Sequence, residues 1–179
     1  TQVSSLAQTV ALAEEARFAA AADALMRAKR VFCFGQGNSL VIAMIAWSRF
    51  ISVSKKFYCV GDAHLQSSNA ALCDAEDVIL YFSYSGSTRD MMDILPTAHK
   101  NGAKIILVTR FENSPAAQFS DTVLLCGSNE GPLQVGSMAA KAAQLMVIDI
   151  LFNSYWMCNE KECEEHTQAT AQMIARKLL

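Results

Sequence analysis

The 179-residue chain has no run of about 18 consecutive apolar residues, so no segment of it is long enough to cross a bilayer as a helix. No secretory leader is expected, and the opening Thr1 reads as a processed or truncated chain. A cytoplasmic location is the expectation. No basic face is concentrated in it either. The 15 lysines and arginines are scattered, in nothing denser than pairs such as Lys55-Lys56 and Arg176-Lys177, against 17 acids for a net charge of −2. That balance argues against a segment that grips nucleic acid by itself. The six cysteines form no CxxC pair, and Cys158-x4-Cys163 with His166 nearby lacks a fourth ligand. Free thiols in a reducing compartment are expected, with no metal and no cofactor. Internal repeats and low-complexity linkers are missing as well. At this length the expectation is a single domain over residues 1–179.

What is present is a hydroxyl-rich turn. Ser83-Tyr84-Ser85-Gly86-Ser87-Thr88 follows the apolar run Val78-Ile79-Leu80-Tyr81-Phe82 and precedes a helical pattern. A glycine lets backbone approach an anion, open N–H groups at a helix start point toward it, and short hydroxyls donate without bulk. The same residues could simply cap a helix. A second turn of this kind, Gly35-Gln36-Gly37-Asn38-Ser39, follows Val31-Phe32-Cys33-Phe34. Gly35-x-Gly37 suggests a dinucleotide fingerprint, but position 40 is leucine where the third glycine belongs, and only Asp62 stands near the place of the ribose-binding acid. Two hydroxyl-bearing turns suit a small phosphorylated ligand better.

Residues 3–28 are alanine-rich and predict one N-terminal helix packed on the domain. Strands are expected at 31–34, 57–60, 78–83, 105–109 and 122–126, with helices near 39–53, 63–72 and 88–101, the last ending at Gly102. Ser114-Pro115 reads as the cap and first residue of a short helix, and Asn159 as the cap of the last one, after a long helix over 137–156. Short strands apolar on both faces, alternating with helices, predict an α/β fold: a three-layer αβα sandwich around a five-stranded parallel sheet. With the flavodoxin-like order 2-1-3-4-5, strands one and three are neighbours and both turns face one crevice at the carboxyl edge.

These residues resemble the SIS (sugar isomerase) domain family, whose phosphosugar seat pairs a glycine-rich turn ending in serine with an S-x-S-G-x-T turn. The run from Asp121 to Phe152, with Glu130 ahead of Met138-Ala139-Ala140-Lys141, is most similar to the effector domain of RpiR-type bacterial transcriptional regulators. Those carry an N-terminal helix-turn-helix domain that this chain lacks, so DNA is expected as a partner only through a missing N-terminal domain. The resemblance implies that Ser83, Ser85 and Thr88 bond phosphate oxygens, with amides of Tyr84, Ser85, Gly86, Ser87 and Thr88 as further donors. It implies that Ser39 and the amide of Asn38, next to Gly37, hold the sugar end, and that Glu130 accepts from sugar hydroxyls. Arginine often stands in the family where this chain has Lys141.

Two functions follow. One is a sensor in which a phosphorylated sugar or amino sugar shifts the balance of conformations of a regulator. The other is a sugar-phosphate aldose–ketose isomerase, whose proton transfer needs a base and an acid; Glu130 and His166 are the candidates. Each also has a plain reading, Glu130 as a solvated loop acid and His166 as a surface residue. His64, after strand two, is a candidate ligand contact or a loop hydrogen-bonding group. Asp149, in an otherwise apolar helix, points to pairing with another helix or subunit. The broad apolar faces of 3–28 and 137–156 predict a homodimer or tetramer.

Overall fold

A computed structural model describes residues 1–128 and 137–176. Five parallel strands carry the most apolar segments: β1 (Arg30–Gly35), β2 (Phe57–Cys59), β3 (Asp77–Phe82), β4 (Lys104–Thr109) and β5 (Thr122–Leu125). Their order is 2-1-3-4-5, as expected. β1, β3 and β4 are central and buried nearly end to end, because helices cover both sides. Successive side chains point to opposite faces and so feed two separate cores. Val78, Leu80 and Phe82 enter one, with Ile106 and Val108; Ile79 and Tyr81 enter the other, with Ile105 and Leu107.

Helices α3 (Asn38–Phe50) and α6 (Met138–Cys158) close the first core. Helices α4 (Ala63–Leu72) and α5 (Arg89–Lys100) close the second. α6 has apolar groups nearly all round because it packs against α1 (Gln2–Leu12), α2 (Glu15–Arg27) and α3. Much of its apolar surface is therefore covered within the chain, while Leu145, Met138 and Met157 stay exposed. Further exposed apolar groups lie elsewhere, notably Val41, Met44 and Ile45 on α3.

The N-terminal segment is two helices where one over 3–28 was expected. A straight helix of 26 residues would run about 39 Å, too long to stay on this surface. Ala13 (ψ 106°) and Glu14 (ψ 117°) are extended and turn the chain. On one side of the break, the Gly127 N–H donates to Thr9 Oγ1 at 2.9 Å and fixes α1. On the other, Phe18, Ala21, Ala22 and Leu25 bury α2 in the first core. Arg17 joins the pieces: it bonds Glu14 and Glu112 and donates to the Val123 carbonyl at 3.2 Å, which covers a polar group of edge strand β5.

Two expected caps differ as well. Ser114 does not start an α-helix; only a 3-10 turn forms, at Ala117–Phe119, and the Ser114 carbonyl accepts the Ala117 N–H. Asn159 does lie between α6 and α7 (Glu160–Ala175), but its amide donates to Glu162 at 2.9 Å instead of its oxygen capping the helix. Asp149 is exposed on α6. No helix among the described residues is long and apolar enough to cross a membrane.

Candidate functional site

β1 and β3 are hydrogen-bonded neighbours, and Gly35 lies opposite Phe82 at their carboxyl ends. Both hydroxyl turns therefore leave the sheet at the same height, side by side. The chain after β1 passes to α3 on one face, and the chain after β3 passes to α5 on the other. This divergence opens a crevice between the turns, at the switch point where open α/β sheets bind ligands. Ser39 and Ser85 share one rim.

Each turn is held by a glycine that nothing else could replace. A Cβ on Gly35 would stand 2.6 Å from the Ser39 carbonyl oxygen. Gly86 has φ +62°, and a Cβ there would overlap both Oγ and Cβ of Ser114. Both following helices begin without a side-chain cap: Gly37 precedes α3, and Thr88 precedes α5 without bonding its first turn. Two helix starts thus aim N–H groups and the positive ends of their dipoles at one crevice. Helix starts with open N–H groups and nearby hydroxyls are the arrangement that anions favour in general.

The hydroxyls divide into two kinds. Ser85, Ser87 and Thr88 are exposed on the rim, and Ser39 is half-buried at the start of α3. Ser83 is buried, and its Oγ accepts the Gly86 N–H at 3.1 Å, so it shapes the turn from beneath. The Tyr84 ring is also engaged, its hydroxyl donating to the Ser128 carbonyl at 3.1 Å and its ring edge meeting Phe111. Exposed Asn38 opens α3.

Several supporting residues escaped sequence reasoning. From β4 and its loop, Thr109 Oγ1 and the Arg110 N–H both donate to the Tyr84 carbonyl, and the Ala116 N–H donates to that of Gly86. Gln66, fully buried on α4, donates to the Gly35 and Val60 carbonyls at 3.1 and 2.6 Å. It also accepts from Gln36 at 2.8 Å, so it holds the first turn from below. The available signal was its place four residues before Ala70, on the inner face of a short helix. His64, the candidate contact on the same helix, is exposed in its first turn. At the floor lies Tyr81, whose phenol burial pushes up to about 12.

His166 is not brought to this rim. Its Nδ1 meets the Val53 carbonyl at 2.6 Å, in the loop that follows α3 and feeds the start of β2. α3 runs 13 residues from the crevice to that loop, about 20 Å, so within one protomer His166 stands at the far edge of the sheet. Glu130 lies outside the described residues. Lys141 is half-buried in the first turn of α6, on the same edge as the turns. Among the described residues no group of three His, Cys, Asp or Glu could hold a metal ion.

Residues 24–154 match the SIS domain, a stretch that contains both turns and the entire sheet. The chain belongs to the SIS domain family. Over 144 residues this SIS domain is 35% identical to an uncharacterized HTH-type transcriptional regulator of Caldanaerobacter subterraneus subsp. tengcongensis, covering 80% of this chain and 51% of that protein. It is 30% identical over 159 residues to the HTH-type transcriptional regulator RpiR of Escherichia coli K12, covering 85% of this chain and 54% of that protein. The chain thus spans about half the length of the curated relatives it matches. Among solved structures, the Vibrio vulnificus NanR protein complexed with ManNAc-6P superposes with a TM-score of 0.93 at 27% identity, over 98% of this chain and 66% of that one. The resemblance to regulators of the RpiR type therefore holds across fold and sequence.

Proposed function

We propose that this SIS domain is the effector-binding part of an RpiR-type transcriptional regulator, and that a phosphorylated sugar or amino sugar is its ligand. One observation carries the proposal: two uncapped helix starts, the exposed hydroxyls of Ser85, Ser87 and Thr88 and the half-buried one of Ser39 meet at one crevice. In this reading Ser85, Thr88 and the amides around Gly86 take the phosphate, while Asn38 and Ser39 take the sugar end, with Glu130 accepting from its hydroxyls. The ManNAc-6P bound by NanR and the regulator names of the relatives support it. DNA is contacted by an attached domain, in the cytoplasm, and the ligand acts by preferring one conformation of the assembly.

Self-association belongs to the same proposal. Val41, Met44 and Ile45 lie along α3 at helical spacing and are 50%, 50% and 38% exposed, a pattern suited to a second copy.

The test is titration calorimetry against a panel of hexose and amino-sugar 6-phosphates, with each mixture assayed for turnover. Saturable binding without interconversion is the expected result. Isomerisation of any bound sugar would replace the sensor with an enzyme, and no binding across the panel would remove the ligand class.

A further inference from the structure

Tyr81 has a hydroxyl that the fold does not use. Its ring is fully buried at the end of β3 and already satisfied, with Phe34 meeting it edge-on at 6.3 Å. Phenylalanine would fill that place equally well. Yet the hydroxyl is buried and makes no complete hydrogen bond. A buried hydroxyl without a partner destabilises a fold, so its presence asks for a partner that arrives later. The nearby polar side chains are informative. Gln36 belongs to the first turn and Thr88 to the second, and both approach the Tyr81 oxygen without completing a bond. Gln36 is held in place through its amide nitrogen, which donates to Gln66. Thr88 is exposed on its outer side, toward the crevice rim.

We propose that Tyr81 is a positioning residue for the bound phosphate, acting through Thr88. The inference rests on the phosphosugar reading of the rim. A threonine hydroxyl donates one hydrogen bond and accepts up to two. When Thr88 gives its hydrogen to a phosphate oxygen its own oxygen still accepts, and a small shift of the threonine onto the phosphate brings that oxygen within reach of the Tyr81 O–H. The chain then runs from Tyr81 O–H to Thr88 O–H to phosphate, each bond polarising the next. No proton leaves any group in this arrangement. Without ligand the Tyr81 hydroxyl has no hydrogen-bond partner. Filling the seat therefore also ties the floor of the sheet to the start of α5.

Tyr81→Phe removes the hydroxyl and keeps the ring. Inorganic phosphate and ManNAc-6P, titrated calorimetrically into wild type, Tyr81→Phe, Thr88→Val and the double variant, measure the coupling. The expected result is a loss of about fivefold in affinity for both probes in Tyr81→Phe. Its thermal midpoint stays at or above that of wild type, because an unpaired buried group is gone. On the Thr88→Val background the same change has no further effect, since the intermediary is already missing. Wild-type affinity in Tyr81→Phe, an equal fold-loss on both backgrounds, or a lowered thermal midpoint without ligand would each overturn the proposal. If wild type binds neither probe, the same four proteins are titrated with the sugar 6-phosphate that the panel identifies, and absence of binding across the whole panel removes the phosphosugar reading and this inference with it. Binding by wild type with unchanged Tyr81→Phe leaves that reading intact and removes only the role of Tyr81.

Discussion

Gly86→Ala attacks the seat at its tightest point, and its cost has two separable parts. The first is conformational: Gly86 sits at φ +62°, where an L-residue other than glycine is strained by about 1–2 kcal/mol. The second is steric. The new Cβ would overlap Ser114 Oγ and Cβ and lie 3.1 Å from Thr109 Oγ1, and forced overlap in a packed site costs about 1–3 kcal/mol. Together these give about 3 kcal/mol, or a fall of roughly 6–12 °C in Tm for a chain of this size. A second substitution separates the parts. Ser114→Gly removes both colliding atoms, and the Ser114 hydroxyl has no hydrogen bond to lose. Added to Gly86→Ala, it restores the steric part and leaves the conformational one, less the few tenths to 1 kcal/mol that a new glycine costs. Ser114→Ala keeps the offending Cβ and rescues little. Urea unfolding followed by circular dichroism of wild type, Gly86→Ala and the two double variants measures all of this. A Gly86→Ala domain as stable as wild type would refute the reasoning, as would equal rescue by Ser114→Ala and Ser114→Gly.

Ser85→Ala and Thr88→Val remove exposed hydroxyls, so thermal stability should change by no more than a degree or two. Ligand affinity in calorimetry should fall about tenfold to a hundredfold, as for a hydrogen bond to a charged group. Gln66→Leu strands the buried Gly35 carbonyl and the part-buried Val60 carbonyl and should destabilise the domain by about 2–4 kcal/mol in urea; an unchanged midpoint would show that Gln66 does not hold the first turn. Tyr81 makes the fold sensitive to alkali. Its folded pKa of about 12 lies above the ordinary tyrosine value of about 10, so below pH 10 both states keep the proton and the full contribution is present. Between pH 10 and 12 the unfolded chain ionises first, and stability should drop by about 2 kcal/mol. Tyr81→Phe should lose less than wild type over that range, and parallel loss in the two proteins would assign the alkaline sensitivity to other groups.

The sheet was legible because its strands are apolar on both faces, a pattern that only a doubly covered parallel sheet satisfies. The two turns were legible because hydroxyls and glycine follow directly on those strands. What escaped was mostly long-range. The break at Ala13–Glu14 carries no glycine or proline, since tertiary docking of α1 and α2 imposes it rather than local propensity. Ser83 looked equivalent to Ser85 by type, but facing inward it accepts the Gly86 N–H instead of meeting solvent. Gln66 was marked only by its place on the inner helix face, because its partners Gly35 and Gln36 lie about thirty positions away, and nothing in the run around Tyr81 shows that its hydroxyl is unpaired. Part of the apolar surface of α6 is covered by helices from the chain's own N-terminus, a long-range packing that no local pattern announces. His166 was grouped with the rim by chemistry alone, and the length of α3 separates them.

The central claim is that two turns from adjacent strands close on one phosphate. Backbone amide NMR shifts on titration with a sugar 6-phosphate test it most directly. Gly37 to Leu40 and Tyr84 to Arg89 should move together, fitting a single dissociation constant, while amides of α7 around His166 stay still. Movement of one segment without the other, or shifts concentrated at the His166 end, would contradict the account.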